Sequence, residues 1–215
     1  MPFQHEAMTR PVKRLTDEQL IQRLQQGRTD ALDELYSKHA RQLYAFCASI
    51  TRSSDPQGPE DLVQDIFLRV IKGAHTFDSR KASFRTWVYR IARNRCADAM
   101  RRARLIQFIP LGKRAGRDTG AGKPEAEEEL VDERANVEDS VLRTLAIEAV
   151  RDCIDELGNP DEKQAIVLYY LGGKVYREIG QILGKSTSMA RNRVKAAQEK
   201  VRRCLERKGV VPVWK

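Results

Sequence analysis

A chain of 215 residues is long enough for one or two domains with cores of their own. Its formal net charge of +9 favours an anionic partner, and no stretch approaches the roughly 20 apolar residues of a membrane span, so no membrane insertion is expected. The first 14 residues lack the apolar run of a signal peptide, which predicts a cytoplasmic protein.

Residues 1–14 carry few ordering signals and are expected to be flexible. Thr16 followed by Asp17 and Glu18 reads as a helix start, with Leu20, Ile21 and Leu24 as its apolar face and Gly27 as its end. A second helix is expected after Thr29 or Asp30, through Leu35, Tyr36, Leu43, Phe46 and Cys47 to about Thr51. SSDPQGPE is a turn-rich break.

The stretch 61–104 then organises the chain. Leu62, Val63, Ile66, Phe67, Val70 and Ile71 recur at helical spacing, opposite a mostly acidic face of Asp61, Gln64, Asp65, Leu68 and Lys72. After Gly73 comes a polar loop, 78–83, and a second helix. Phe84, Val88, Ile91, Ala92, Cys96 and Ala99 form its inward side. Arg85, Arg90, Arg93, Asn94, Arg101 and Arg102 form its outer side, with Trp87 and Tyr89 interleaved. A basic helix with aromatics suits single-stranded nucleic acid, because arginines neutralise phosphates and rings stack on bases. Trp87 has two readings here: a core residue beneath a solvated arginine face, or a stacking platform.

From 105 to about 140 the chain is rich in Gly, Pro and charge, with basic residues first and acidic ones later, and reads as a linker. A second helical domain follows. Leu142, Leu145, Ile147, Ala149, Val150, Cys153, Ile154 and Leu157 mark one helix, ended by Gly158. Asn159-Pro160-Asp161-Glu162 caps the next, which Gly172-Gly173 stops. A short helix from Tyr176 to Leu183, a turn at Gly184 and a longer helix capped by Ser186 or Thr187 make a helix-turn-helix pattern. The outer face of that last helix shows Ser188, Arg191, Asn192, Lys195, Gln198 and Arg202, side chains that can read base edges and hold phosphates. The four cysteines (Cys47, Cys96, Cys153, Cys204) include no CxxC pair, and His5, His39 and His75 show no ligand spacing. Reduced, buried thiols are expected, with no metal and no cofactor.

DLVQDIFLRVIKG followed by SFRTWVYRIARN resembles region 2 of the extracytoplasmic-function sigma factors, the promoter-specificity subunits of bacterial RNA polymerase. KVYREIGQILGKSTSMARNRVKAAQEKVRRCL resembles region 4 of the same family, with Gly180 at its small-residue position and Lys185 where an apolar residue is common. The resemblance implies an all-α fold of two helical domains: a region 2 domain at 15–105, a linker at 106–140 and a region 4 domain at 141–207. A tail at 208–215 follows. It also implies docking on core RNA polymerase, at the clamp helices of the largest subunit through Asp61, Gln64, Asp65, Phe67 and Leu68, and at the beta flap.

By the same resemblance, Phe77, Asp78, Ser79, Arg80 and Lys81 capture an unstacked base of the minus-ten element. Trp87, Arg90, Asn94 and Arg101 hold the melted edge of the bubble. Tyr176, Arg177, Ser186, Ser188, Arg191, Asn192, Lys195 and Gln198 read the minus-thirty-five element of duplex promoter DNA. The linker is expected to thread toward the RNA exit path. An anti-sigma factor is a common partner in the family, although no residue here names one. The alternative is a conventional helix-turn-helix regulator that binds duplex DNA as a dimer without touching polymerase. A basic aromatic helix beside an acidic docking helix has no role in such a protein. An enzyme acting on nucleic acid would need clustered carboxylates or a metal site. Asp61 and Asp65 lie one turn apart, but no further acid or histidine joins them in sequence, so no catalysis is expected.

Overall fold

The computed structural model describes residues 15–51, 58–108 and 137–210, and these form α-helices with one short 3-10 turn and no strand. The expected flexible N-terminus and most of the expected linker and tail lie outside the described residues. The helices are α1 (Asp17–Gln25), α2 (Asp30–Thr51), α3 (Gly58–Gly73), α4 (Phe84–Phe108), α5 (Val137–Asp155), α6 (Pro160–Tyr170), α7 (Tyr176–Leu183) and α8 (Thr187–Arg207); the 3-10 turn, Ala74–Thr76, follows α3. Helices α4 and α5 thus reach into both ends of the predicted linker, to 108 and from 137.

Local chemistry sets the helix boundaries. Thr16 and Gln19 close a capping box: the Thr16 hydroxyl accepts from Gln19 N at 3.2 Å and Gln19 Oε1 accepts from Thr16 N at 2.9 Å. Asn159 Oδ1 accepts from the amides of Asp161 and Glu162, with Pro160 in the first turn where its missing N–H costs nothing.

In the N-terminal half, Leu20, Ile21, Leu35, Leu43, Phe46, Leu62, Ile66, Phe84 and Val88 are sealed from solvent among α1–α4. In the C-terminal half Leu168, Ile179, Ile182, Ala190, Val194, Ala197 and Val201 do the same among α6–α8. The two halves also meet: α4 packs on α7, and α2 on α6.

Three expectations from periodicity need correction. Ile71 and Tyr36 belong to apolar stripes, yet both are exposed, because each lies at the margin of its stripe where no helix covers it. Tyr89, expected on the outer side of α4, is 1% exposed because its ring meets Phe46 of α2 edge-on and Lys174 of the C-terminal half lies over it. The cysteines differ as well. Cys47 and Cys96 are buried outside any disulfide, but Cys153 and Cys204 form one, with Cα atoms 5.7 Å apart. Their sequence separation of 51 hides the packing of α5 on α8 that brings them together.

Candidate nucleic-acid interface

The first candidate surface is on α3. Asp61, Gln64 and Leu68 point to solvent, and exposed Ile71 and Tyr36 add apolar area. Phe67 does not belong to this surface. It is 4% exposed, with the Tyr36 ring 4.8 Å from its own, so it anchors the helix from below. Asp65 is half-exposed and accepts a hydrogen bond from Arg95, a buried guanidinium on α4 that also faces Asp98. Asp65 therefore joins α3 to α4 as well as bordering the acidic face.

The second surface is the loop before α4 and the first turns of that helix. Gln25 donates from one amide group to the carbonyls of Ala74 and Phe77, at 2.9 and 3.1 Å, which fixes where the loop leaves α3. Nothing in the local sequence pattern marks Gln25, because its partners lie about fifty residues away. Phe77 is a further correction to the sequence reading: its ring is buried against Phe84 and Trp87, at 6.2 and 5.4 Å between centroids. Beyond it Ser79, Arg80 and Lys81 are exposed. Arg80 donates twice from its guanidinium and once from its amide to Asp78, and those bonds hold the Asp78 carboxyl below its usual range. Ser83 caps α4, its hydroxyl accepting from Thr86 N at 3.2 Å.

Trp87 is half-buried, the third ring of the Phe77–Phe84 cluster, and a Cβ placed at Gly73 would come within 3.4 Å of it. It is neither a sealed core residue nor a free platform: one side packs and the other is open. Arg90 and Asn94, one and two turns further on, are exposed and have no ion-pair or hydrogen-bond partner among the described residues. Arg101 is exposed and paired with Asp98.

A quarter turn around α4 from these groups, Thr86, Tyr89 and Arg93 meet the C-terminal half. The Thr86 hydroxyl donates to Glu178 at 3.4 Å and Arg93 Nε donates to Gln164 at 2.9 Å. The Lys174 ammonium lies 4.8 Å from the centre of the Tyr89 ring and is 3% exposed. Burial, reinforced by the Arg85 charge, pushes the Lys174 ammonium down to about 8, and burial pushes the Tyr89 phenol up to about 12. The Tyr89 hydroxyl and Arg85 Nε are buried without a hydrogen-bond partner among the described residues. Sequence spacing gave no sign of this second face of α4.

The third surface is α8. Gly184 turns the chain with φ +66°, in the left-handed region that favours glycine, and a Cβ at Gly180 would sit 2.8 Å from the Lys185 carbonyl oxygen. Helices α7 and α8 can therefore approach only with glycine there. Ser186 caps α8, its hydroxyl accepting from Met189 N and bonded to Ser188 Oγ. Ser188, Arg191, Asn192 and Lys195 are exposed, as is Arg177 on α7, while Tyr176 is half-buried. With Thr187, four of these side chains line an open groove of about 580 Å³. Gln198 lies a turn further from that groove and donates to the Tyr170 hydroxyl at 2.8 Å.

Ion pairs divide the cations of α8. Arg193 and Lys200 meet buried Glu162, Arg202 and Arg203 meet Glu199, and Arg207 meets Glu156. Arg191 and Lys195 have no acidic partner among the described residues. Unpaired cations at the N-terminal half of a second helix are what a major-groove reader requires.

Among the described residues no group of three His, Cys, Asp or Glu side chains could hold a metal, and no helix is long and apolar enough to cross a membrane.

Comparison with known proteins agrees with this layout. The family model for sigma-70 region 2 matches residues 35–106, and that for sigma-70 region 4 matches 153–203. The ECF RNA polymerase sigma factor SigK of Mycobacterium ulcerans is 27% identical over 93% of this chain and 99% of its own. The RNA polymerase sigma factor CarQ of Myxococcus xanthus is 28% identical over 86% of this chain and 95% of its own. The ECF RNA polymerase sigma factor BldN of Streptomyces coelicolor is 27% identical over 78% of this chain, a match spanning 58% of that longer relative.

Two solved structures share the fold. One is CnrH in complex with the cytosolic domain of CnrY, with TM-score 0.62, 20% identity and coverage of 88% of this chain and 97% of that one. The other is the sigma factor RpoE with the anti-sigma factor NepR from Bartonella quintana, with TM-score 0.57, 21% identity and coverage of 83% and 98%. A helix-turn-helix regulator that ignores polymerase is not favoured by these matches. With the two regions in order over more than half of its length, the chain belongs to the sigma-70 family as an extracytoplasmic-function sigma factor, a subunit that directs core RNA polymerase to promoter DNA.

Proposed function

We propose that three surfaces divide the work of this sigma factor. The acidic and apolar face of α3, with Asp61, Gln64 and Leu68 at its centre and Tyr36 and Ile71 at its edge, docks on the clamp helices of the polymerase largest subunit. The C-terminal half adds the beta-flap contact. Asp78 to Lys81 form the pocket for an extruded base, and Trp87, Arg90, Asn94 and Arg101 hold the fork. Extruding a base costs a few kcal/mol, which stacking and a fitted pocket offset. Arg191, Asn192 and Lys195 read the upstream element, with Arg177 and Ser188 beside them. Work at promoters places the chain in the cytoplasm, and the chain contributes binding energy rather than a reaction of its own. An anti-sigma factor is the natural regulator, as in the complex of the sigma factor RpoE with the anti-sigma factor NepR.

The observation that carries this reading is the division of the cations on α8: Arg193, Lys200, Arg202, Arg203 and Arg207 meet carboxylates, while Arg191 and Lys195, on the side that carries the groove, have no acidic partner among the described residues. The test is transcription by core polymerase plus the purified chain. Asp61→Lys with Gln64→Lys should abolish co-purification with core enzyme at unchanged helical content. Trp87→Ala should keep core binding but open promoters slowly, as read by permanganate reactivity of unpaired thymines, and a template already mismatched across the bubble should rescue it. Wild-type core binding by the double variant, or no rescue of the Trp87 variant, would show the assignment to be wrong.

A further inference from the structure

Arg191 is the α8 arginine that an aromatic ring supports instead of a carboxylate. Its guanidinium carbon lies 5.8 Å from the centre of the Tyr176 ring. The same ring stacks on Tyr169, with centroids 5.4 Å apart and planes within 11° of parallel. Tyr170 meets Tyr169 edge-on at 5.0 Å, so the stack has a third ring against it. A cation over a ring is attracted to it yet keeps its N–H donors for another acceptor, whereas a carboxylate would consume them. Holding an arginine also removes rotamer freedom that binding would otherwise have to remove. The guanidinium borders the groove beside Asn192 on the face assigned to the upstream element.

We propose that Tyr176, backed by Tyr169, is a positioning residue that holds Arg191 ready to read one base pair of the minus-thirty-five element. This rests on the reading of α8 as the helix that recognises that element. Tyr176 accordingly acts through Arg191 instead of contacting a base. A bidentate arginine–guanine pair depends on the orientation of a planar fork, so loosening its support lowers discrimination at that one position and spares the others.

The experiment uses core polymerase with the full chain on a promoter pool randomised across the upstream element, and reads base preference position by position from the transcripts. Arg191→Ala should flatten the preference at one base pair, by roughly tenfold or more for a lost bidentate contact. Tyr176→Leu should flatten the same position by about three- to tenfold, Tyr176→Phe should leave it intact, and Tyr176→Leu should add nothing once Arg191 is Ala. Tyr169→Leu, which removes the backing ring without touching Arg191, should give a smaller loss at the same position and serves if Tyr176→Leu unfolds the domain. A Tyr176→Leu loss spread evenly over all sequences, or one that persists in the Arg191→Ala background, overturns the proposal. Flattening by Arg191→Ala but by neither tyrosine variant overturns the positioning role alone. An unchanged profile for Arg191→Ala overturns the recognition reading with it.

Discussion

The Cys153–Cys204 disulfide allows a prediction with a magnitude. The bond spans 51 residues and joins α5 to α8, so it closes nearly the whole C-terminal half into one loop. In the chain-entropy account, cross-linking a loop of that length removes denatured-state freedom worth about 4 kcal/mol. Both sulfurs are buried, and reducing them leaves the surrounding packing in place, so the expected loss is close to that entropic value. For a domain of this size a loss of about 4 kcal/mol lowers Tm by roughly 15–30 °C. The assay is hydrogen exchange of the oxidised full chain with and without reductant, resolved by peptide, alongside Cys153→Ser. Protection in α5, α6 and α8 should fall by two to three orders of magnitude, as about 4 kcal/mol requires, while α2 and α3 keep theirs. The reasoning fails if reduction leaves the C-terminal half unchanged, or if it weakens both halves alike.

Gly180→Ala forces a Cβ to 2.8 Å from the Lys185 carbonyl oxygen, a backbone atom that cannot move aside, and should destabilise the C-terminal half by about 1–3 kcal/mol in urea; an unchanged midpoint would mean the turn adapts freely. Asp65→Ala leaves buried Arg95 with only the more distant Asp98, and should cost roughly 1–3 kcal/mol of stability in the N-terminal half on denaturant titration. Lys174 ionises near 8 when packed and near its ordinary 10.5 when exposed, so packing of the two halves is weakest below pH 8 and strengthens as pH rises toward 10.5. Lys174→Met should therefore favour the packed form by about 3 kcal/mol at pH 7 and remove that pH dependence. Single-molecule distances between dyes on α2 and α8 would read the populations, and an identical pH response in both proteins would refute the assignment.

Much of this was legible in the sequence because its signals are local. The α7–Gly184–α8 arrangement follows from an apolar period, a left-handed glycine and a capping serine, all within a few residues of one another. The acidic face of α3 follows from period alone. What sequence could not show depends on contacts between distant segments. Phe67 lies on the apolar stripe by period, and only the family resemblance puts it on the docking surface; Phe77 stands in the exposed loop by the same resemblance, yet the rings of Phe84 and Trp87 from α4 bury it. Gln25 is an unremarkable helix-end residue until the loop it holds is folded against it. Periodicity also cannot say which cations of a basic helix are spent on ion pairs, and that division is what separates Arg191 and Lys195 from Arg193, Arg202 and Arg203.

Helix α4 gives one side to its neighbour and another to solvent. Thr86, Tyr89 and Arg93 are held by the C-terminal half, while Arg90 and Asn94 stay uncovered. Closing the two halves therefore hides neither set of groups proposed to read DNA. What it fixes is the span between them, as a folding ruler fixes its length when the hinge is shut. Two DNA elements can be gripped at once only if their spacing suits the shut ruler, or if something opens the hinge by breaking the Thr86–Glu178 and Arg93–Gln164 bonds. The orphaned Tyr89 hydroxyl and the buried Lys174 charge make that opening cheaper than the contact area alone would suggest.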